Sequence, residues 1–178
     1  MPKKKSPGTA LVPVPPVVNS IRPMAGDLVR VDAVYKVPAI RPHGDGPWQA
    51  EAEKIAWTDP MTGYGCIIRR SPDGGYLCGY VAVPPGHPLY ERWHRTLVGW
   101  NLRVYNALDY SAHCARNEPE SRNICHVVVR LDTSRQRIFE NAAAAHDDAW
   151  WFGFSCNGES DLVPGISHRT EDQSRRHR

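Results

Sequence analysis

Along this chain, hydrophobic and polar residues alternate in short runs that turn residues cut apart. "GDLVRVDAVYKV" sets Leu28, Arg30 and Asp32 against Val29 and Val31, then brings in Ala33, Tyr35 and Val37. That period of two predicts a half-buried strand. After the loop "AIRPHGDGP", the segment "WQAEAEKIAW" places Trp48, Ala52 and Ile55 on one side at helical spacing, which predicts a short amphipathic helix. "YGCIIRR" and "YLCGYVAV" are two β-prone runs joined by "SPDGG", a hairpin signature. The expected register sets Cys66 near Cys78.

Further on, "PPGHPLYERWHRT" opens with a proline turn, and Leu89 to Thr96 fit one or two helical turns. "LVGWNLRVYNAL" is strand-like, "SAHCARNEPESRN" is a polar loop, and "ICHVVVRLDT" is rich in β-branched residues and predicts a strand. Ser134 to Asp148 suit a helix or an ordered loop, and "AWWFGF" is a last buried strand. Strands outnumber helices and neighbour one another, so the expected class is α+β: a single domain, mainly antiparallel sheet, with a few short helices and disordered tails. The expected division is a flexible basic, proline-rich arm over residues 1–22, one α+β domain over 23–165, and a flexible basic tail over 166–178.

Charge sharpens that division. The formal net charge is +3 over 178 residues, but Lys3, Lys4, Lys5, Arg22, Arg169, Arg175, Arg176 and Arg178 sit at the two ends. The middle is near neutral and slightly acidic, so specific nucleic-acid binding is not expected, only weak tail contacts with phosphate. In "ALVPVPPVV" the prolines interrupt any continuous apolar helix, which favours a polyproline-like arm over a secretory signal. No apolar run is long enough to span a membrane. The expected location is therefore the cytoplasm, with Cys66, Cys78, Cys114, Cys125 and Cys156 mostly free thiols.

Candidate chemistry centres on "WWFGFSCNGESDLVPG". A cysteine nucleophile needs a base and donors for an oxyanion; Cys156 has His126 or His87 as possible bases, Gly153 or Gly158 as donors, and Asp161 nearby in sequence. A zinc site would draw on His113 and Cys114, Cys125 and His126, and Cys156. No pair has the usual close spacing, and neighbours on a strand face opposite ways, so neither metal nor cofactor is expected. No phosphate-cradling loop is present, because "SPDGGY" lacks the helix such a loop needs. Tryptophan is abundant, with six in the chain. Trp150 and Trp151 must face opposite sides of their strand, which offers one of them as a binding anchor.

The motifs "CGYV", "GHP", "LDYSAHC" and "WWFGFSC" together resemble a group of small uncharacterised proteins of bacteriophages, prophages and some bacteria. Its motifs run Cys-Gly-Tyr-Val, Gly-His-Pro, Gly-Gly-Leu-Thr-Tyr and Trp-Trp-Phe-Gly-Phe-Asp-Cys-Ala-His. The resemblance covers about residues 57–165. This chain departs from it at Ser155, Gly158, Asn106, Ala107 and Asp109. What the resemblance implies is a soluble phage or prophage accessory protein. The function expected is binding, directed at a host protein such as a defence factor; the alternative is a small hydrolase built on Cys156, His126, His87 and Asp161 or on a metal.

Overall fold

The computed structural model describes residues 20–24, 26–114, 118–126 and 148–165. Among them, strands β1 (Ser20–Met24) and β2 (Asp27–Val31) form a two-stranded antiparallel sheet. β1 thus begins inside the stretch read as an arm. The main sheet has six strands, all antiparallel: β3 (Ala33–Tyr35), β4 (Lys54–Thr58), β5 (Gly65–Arg70), β6 (Leu77–Val83), β7 (Tyr110–His113) and β8 (Trp150–Ser155). Their spatial order is β3-β4-β5-β6-β8-β7. The first four make a meander; β8 then pairs with β6, and β7 closes the far edge.

The mainly antiparallel sheet is as expected, but the helical part shrinks. No α-helix of seven residues or more occurs among the described residues. Over the expected amphipathic helix, Pro47–Gln49 is a 3-10 turn and Lys54–Thr58 is strand β4. Helical spacing of Trp48, Ala52 and Ile55 competes there with the alternation of Lys54, Ala56 and Thr58 against Ile55 and Trp57. Pairing with β3 on one side and β5 on the other decides it. Leu89 to Thr96 likewise holds only turns, with one 3-10 turn at His94–Leu97.

The predicted strand over 27–37 breaks at Asp32 into β2 and β3. The hairpin forms as β5 and β6, yet Cys66 pairs with Val81 and Cys78 with Arg69. The two cysteines therefore lie on opposite faces, which corrects the expected proximity. Ser111 to His113, read as polar loop, belong to β7. The strand expected beyond His126, the helix expected from Ser134, residues 1–19 and the tail from 166 lie outside the described residues. Of the five cysteines, Cys114 and Cys125 are disulfide-bonded with Cα atoms 5.0 Å apart; Cys66, Cys78 and Cys156 are free.

One sheet face carries the larger core, in which Trp151, Ile67 and Ala56 are fully buried and Ala33, Tyr35, Cys78, Tyr80 and Ala82 surround them. Burying a tryptophan of ~200 Å² contributes on the order of 5 kcal/mol. Gly153 has no room for a side chain, because an added Cβ would sit 2.3 Å from the Tyr80 ring. The segment 118–126 closes this face with Ile124 and with polar anchors. On the other face Val83, Phe152 and Leu97 pack with Leu89, Leu108, Tyr64 and Trp150.

Candidate functional site

The residues proposed for cysteine chemistry do not converge. Cys156 follows β8, its backbone N–H donating to Leu77 O at 2.9 Å. β8 runs antiparallel to β6, so its start at Trp150 lies beside Val83 and its end beside Cys78. His126 binds Asp32 (Nε2 to Oδ2, 2.9 Å), and Thr58 Oγ donates to the same oxygen at 2.9 Å. Thr58 pairs with Gly65, whose Cβ position faces the Trp151 ring, so this trio stands at the start of β8. His87 stands at that end too: its ring meets Tyr64 edge-on at 5.7 Å, and its Nδ1 accepts the Leu89 N–H at 3.1 Å. Six residues of strand, roughly 20 Å, separate both imidazoles from Cys156.

Asp161 does lie near Cys156, with the wrong sign for nucleophile activation. Burial first, then the negative charges of Asp161 and Asp109 and the neighbouring Cys78, push the Cys156 thiol above its ordinary value. Asp161 itself closes a turn, accepting the Gly158 N–H at 2.8 Å and the Tyr105 hydroxyl at 2.5 Å. Asp32 shows the opposite balance. Desolvation pushes its carboxyl up, but the bonds from His126 and Thr58 and the charge of His126 outweigh it and hold it below the ordinary value. Among the described residues, no three His, Cys, Asp or Glu side chains group so as to hold a metal ion.

The tryptophan pair is committed to the fold. Trp151 is completely buried in the core. Trp150, on the opposite face, donates its ring N–H to Arg92 O at 3.0 Å and packs against the edge-on His113 ring at 4.9 Å. The tryptophans that face outward are Trp93 and Trp100, 53% and 55% exposed.

They belong to the loop connecting β6 to β7, where the alternation over 97–108 predicts a strand instead. Gly99, Asn101 and Asn106 all have positive φ (96°, 46° and 57°). Three left-handed residues within eight positions cannot be accommodated in a strand, and glycine and asparagine are the residues that adopt that conformation most readily. That was the available signal. The loop leaves Val98, Leu102, Val104 and Tyr105 exposed beside the tryptophans. It also frames an open cavity of about 550 Å³ whose lining includes His94, Arg95, Leu97, Leu102, Val104 and Leu108. Arg95 stacks its guanidinium over the Trp93 ring at 5.1 Å.

A second cluster is internal. Glu53, Lys54 and Arg70 are buried charges. Glu53 accepts the Val37 N–H at 2.6 Å and pairs with Arg41 at 2.6 Å; Arg70 donates to Gly75 O at 2.6 Å and pairs with Glu51. Lys54 donates to Cys125 O at 2.8 Å, to Asn123 Oδ1 at 3.3 Å and to Glu120 O, and its ammonium lies 5.1 Å over the Tyr35 ring. Lys54 fastens the 118–126 segment to the sheet, while Glu53 ties in the Val37–Arg41 stretch and Arg70 the turn between β5 and β6.

Comparison with family models, with curated proteins and with solved structures gives no match. The fold is a mainly antiparallel β-sheet domain with an apolar loop surface on one face. Among its described residues no helix is long and apolar enough to cross a membrane.

Proposed function

We propose that this protein acts by binding another protein, and that the loop from 84 to 109 is the surface it uses. The observation that carries this is the outward display of Trp93, Val98, Trp100, Leu102, Val104 and Tyr105 in one loop. Single exposed hydrophobics are ordinary, but several large ones gathered around a concavity mark a place where a partner excludes water. Tryptophan and tyrosine suit the role, since each offers a large rigid area at low conformational cost. The phage or prophage resemblance supports the context: an accessory protein of the cytoplasm whose partner is a host protein, a defence factor being the natural target. The Cys114–Cys125 bond weighs against that compartment, because in a reducing pool it forms only when an oxidant is supplied.

A tagged protein incubated with host lysate tests the reading. Wild type should retain a discrete host protein, and Trp93→Ala combined with Trp100→Ala should weaken capture by about thirtyfold or more, the equivalent of one hot spot of roughly 2 kcal/mol. Both variants lie on the surface, so unfolding curves should match wild type. Equal capture by wild type and the double variant would remove the ground for this proposal. The hydrolase alternative has no comparable support, because Cys156 and the two imidazoles stand at opposite ends of the sheet.

A further inference from the structure

The cavity beneath the exposed loop indicates what kind of partner fits it. We infer that it takes a peptide segment of a partner protein in which an aliphatic side chain is followed closely by a carboxylate. This rests on the binding reading above and narrows it.

The walls contributed by Leu97, Leu102, Val104 and Leu108 are aliphatic, and no Asp or Glu lines the cavity. Its fully charged group is Arg95, held at the rim by its stacking on Trp93. An aliphatic side chain gains by leaving water for such walls. A carboxylate gains from a guanidinium whose position is already fixed. Glu91, Asp109 and Asp161 do not line the cavity. Asp161 sits at the Tyr105 side, bound by Tyr105 and Gly158, while Glu91 is engaged with His113 at 3.2 Å. Arg95 is therefore the lining group that a peptide carboxylate meets. A peptide suits the surface better than a free small molecule, because Trp100, Val98 and Tyr105 extend the apolar area beyond the cavity itself.

The probes are three fluorescein-labelled peptides of alternating residues: leucine with glutamate, leucine with glutamine, and leucine with lysine. Fluorescence anisotropy with the full-length protein should rank glutamate above glutamine by about tenfold, the value of one charge-assisted contact, with lysine weakest. Arg95→Gln should bring the glutamate and glutamine peptides together, and raising salt should shrink the same gap. Equal binding of those two peptides to wild type, or a preference that survives Arg95→Gln, overturns the inference. So does self-association in sedimentation that Trp100→Ala abolishes, since a second copy would then be the occupant. Lysate capture separates the two levels. If Trp93→Ala with Trp100→Ala loses the host protein while Arg95→Gln keeps it at full strength, the carboxylate assignment fails and the binding surface stands; if neither variant loses it, both fail.

Discussion

Lys54 is the most consequential charge in this fold, and replacing it by methionine gives a prediction whose sign follows from the structure. Its ammonium is wholly buried and held by two backbone carbonyls and the Asn123 amide oxygen. Burial first, with the Arg69 charge acting in the same direction and Glu120 against both, brings its pKa from 10.5 down to about 8. That drop corresponds to roughly 3 kcal/mol by which folding disfavours the protonated form. Lys54→Met removes this penalty at neutral pH. It also orphans three oxygens, at about 1–3 kcal/mol each. Stability at pH 7 is then set by two comparable opposing quantities, and the pH dependence is the decisive readout.

The unfolded chain keeps the Lys54 proton up to about 10.5, whereas the folded protein releases it around 8. Between those values the unfolded state binds more protons, so this group makes the protein more stable as pH rises. Other groups oppose it higher up. Burial pushes the Cys66 thiol from 9 to about 11, and burial with the Glu120 charge and bond pushes the Tyr35 hydroxyl upward, so both favour unfolding once their unfolded forms ionise. The window is therefore pH 8 to 9. Urea unfolding followed by tryptophan fluorescence should show wild type gaining a few tenths of a kcal/mol across it, the Lys54 share of about 1 kcal/mol less the opposing share of Cys66, and Lys54→Met should lose stability there instead. A wild-type stability that is flat or falling from pH 8 to 9, or an unchanged slope in Lys54→Met, would refute the reasoning.

Gly153→Ala should lower stability by roughly 2–3 kcal/mol, read as a falling thermal midpoint, because its Cβ would meet the Tyr80 ring at 2.3 Å and the Gly79 carbonyl at 3.2 Å. Glu53→Gln should destabilise by roughly 2–3 kcal/mol in urea, since Arg41 and the Val37 N–H share that buried carboxylate. The double change with Arg41→Gln should cost less than the sum of the singles, as a double-mutant cycle would show. Iodoacetamide should alkylate Cys156 slowly at pH 8 and faster in Asp161→Asn, where a negative neighbour that raises the thiol is gone; an unchanged rate would show that burial alone governs it.

The parts of the fold legible in the sequence were those where local and tertiary preferences agree. The "SPDGG" turn sits between two β-branched runs, and "AWWFGF" has both the composition and the position of a central strand, so β5, β6 and β8 were readable. Residues 47–57 were not, because Trp48, Ala52 and Ile55 carry helical spacing and only partners distant in sequence, β3 and β5, select the strand. The burial of Glu53, Lys54 and Arg70 depends on Arg41, on the Glu120, Cys125 and Gly75 carbonyls and on Glu51, none of which a local pattern reveals. The disulfide between Cys114 and Cys125 likewise follows from where β7 ends, not from spacing. Abundance of tryptophan pointed towards binding, but local pattern singled out Trp150 and Trp151, the pair that pack. Nothing local singles out Trp93 and Trp100, because Trp93 lies in a stretch that suits helical turns and Trp100 in one that alternates as a strand does, while the glycine and asparagines that forbid the strand are scattered along it.

That loop is also held in shape, which bears on what it can do. On the side before the cavity, the Tyr90 hydroxyl donates to Asp148 O at 2.8 Å, Arg92 O accepts the Trp150 ring N–H, and the His94 backbone N–H donates to Ser111 Oγ at 3.0 Å. On the far side Tyr105 is bound to Asp161, and Asn106 reaches Ser155 O at 3.5 Å. Leu97 and Leu108 seat the middle on the sheet against Val83 and Phe152. A loop fastened at both ends and at its floor presents its outward side chains in a set arrangement, so less ordering entropy is lost when a partner arrives. The same anchors explain why large apolar groups remain outside: the inward positions are already filled by Leu97 and Leu108, and the left-handed residues Gly99, Asn101 and Asn106 turn the side chains between them away from the sheet. Loosening an anchor, as in Ser111→Ala, should therefore weaken partner capture through a lost arrangement while every exposed contact residue is still present.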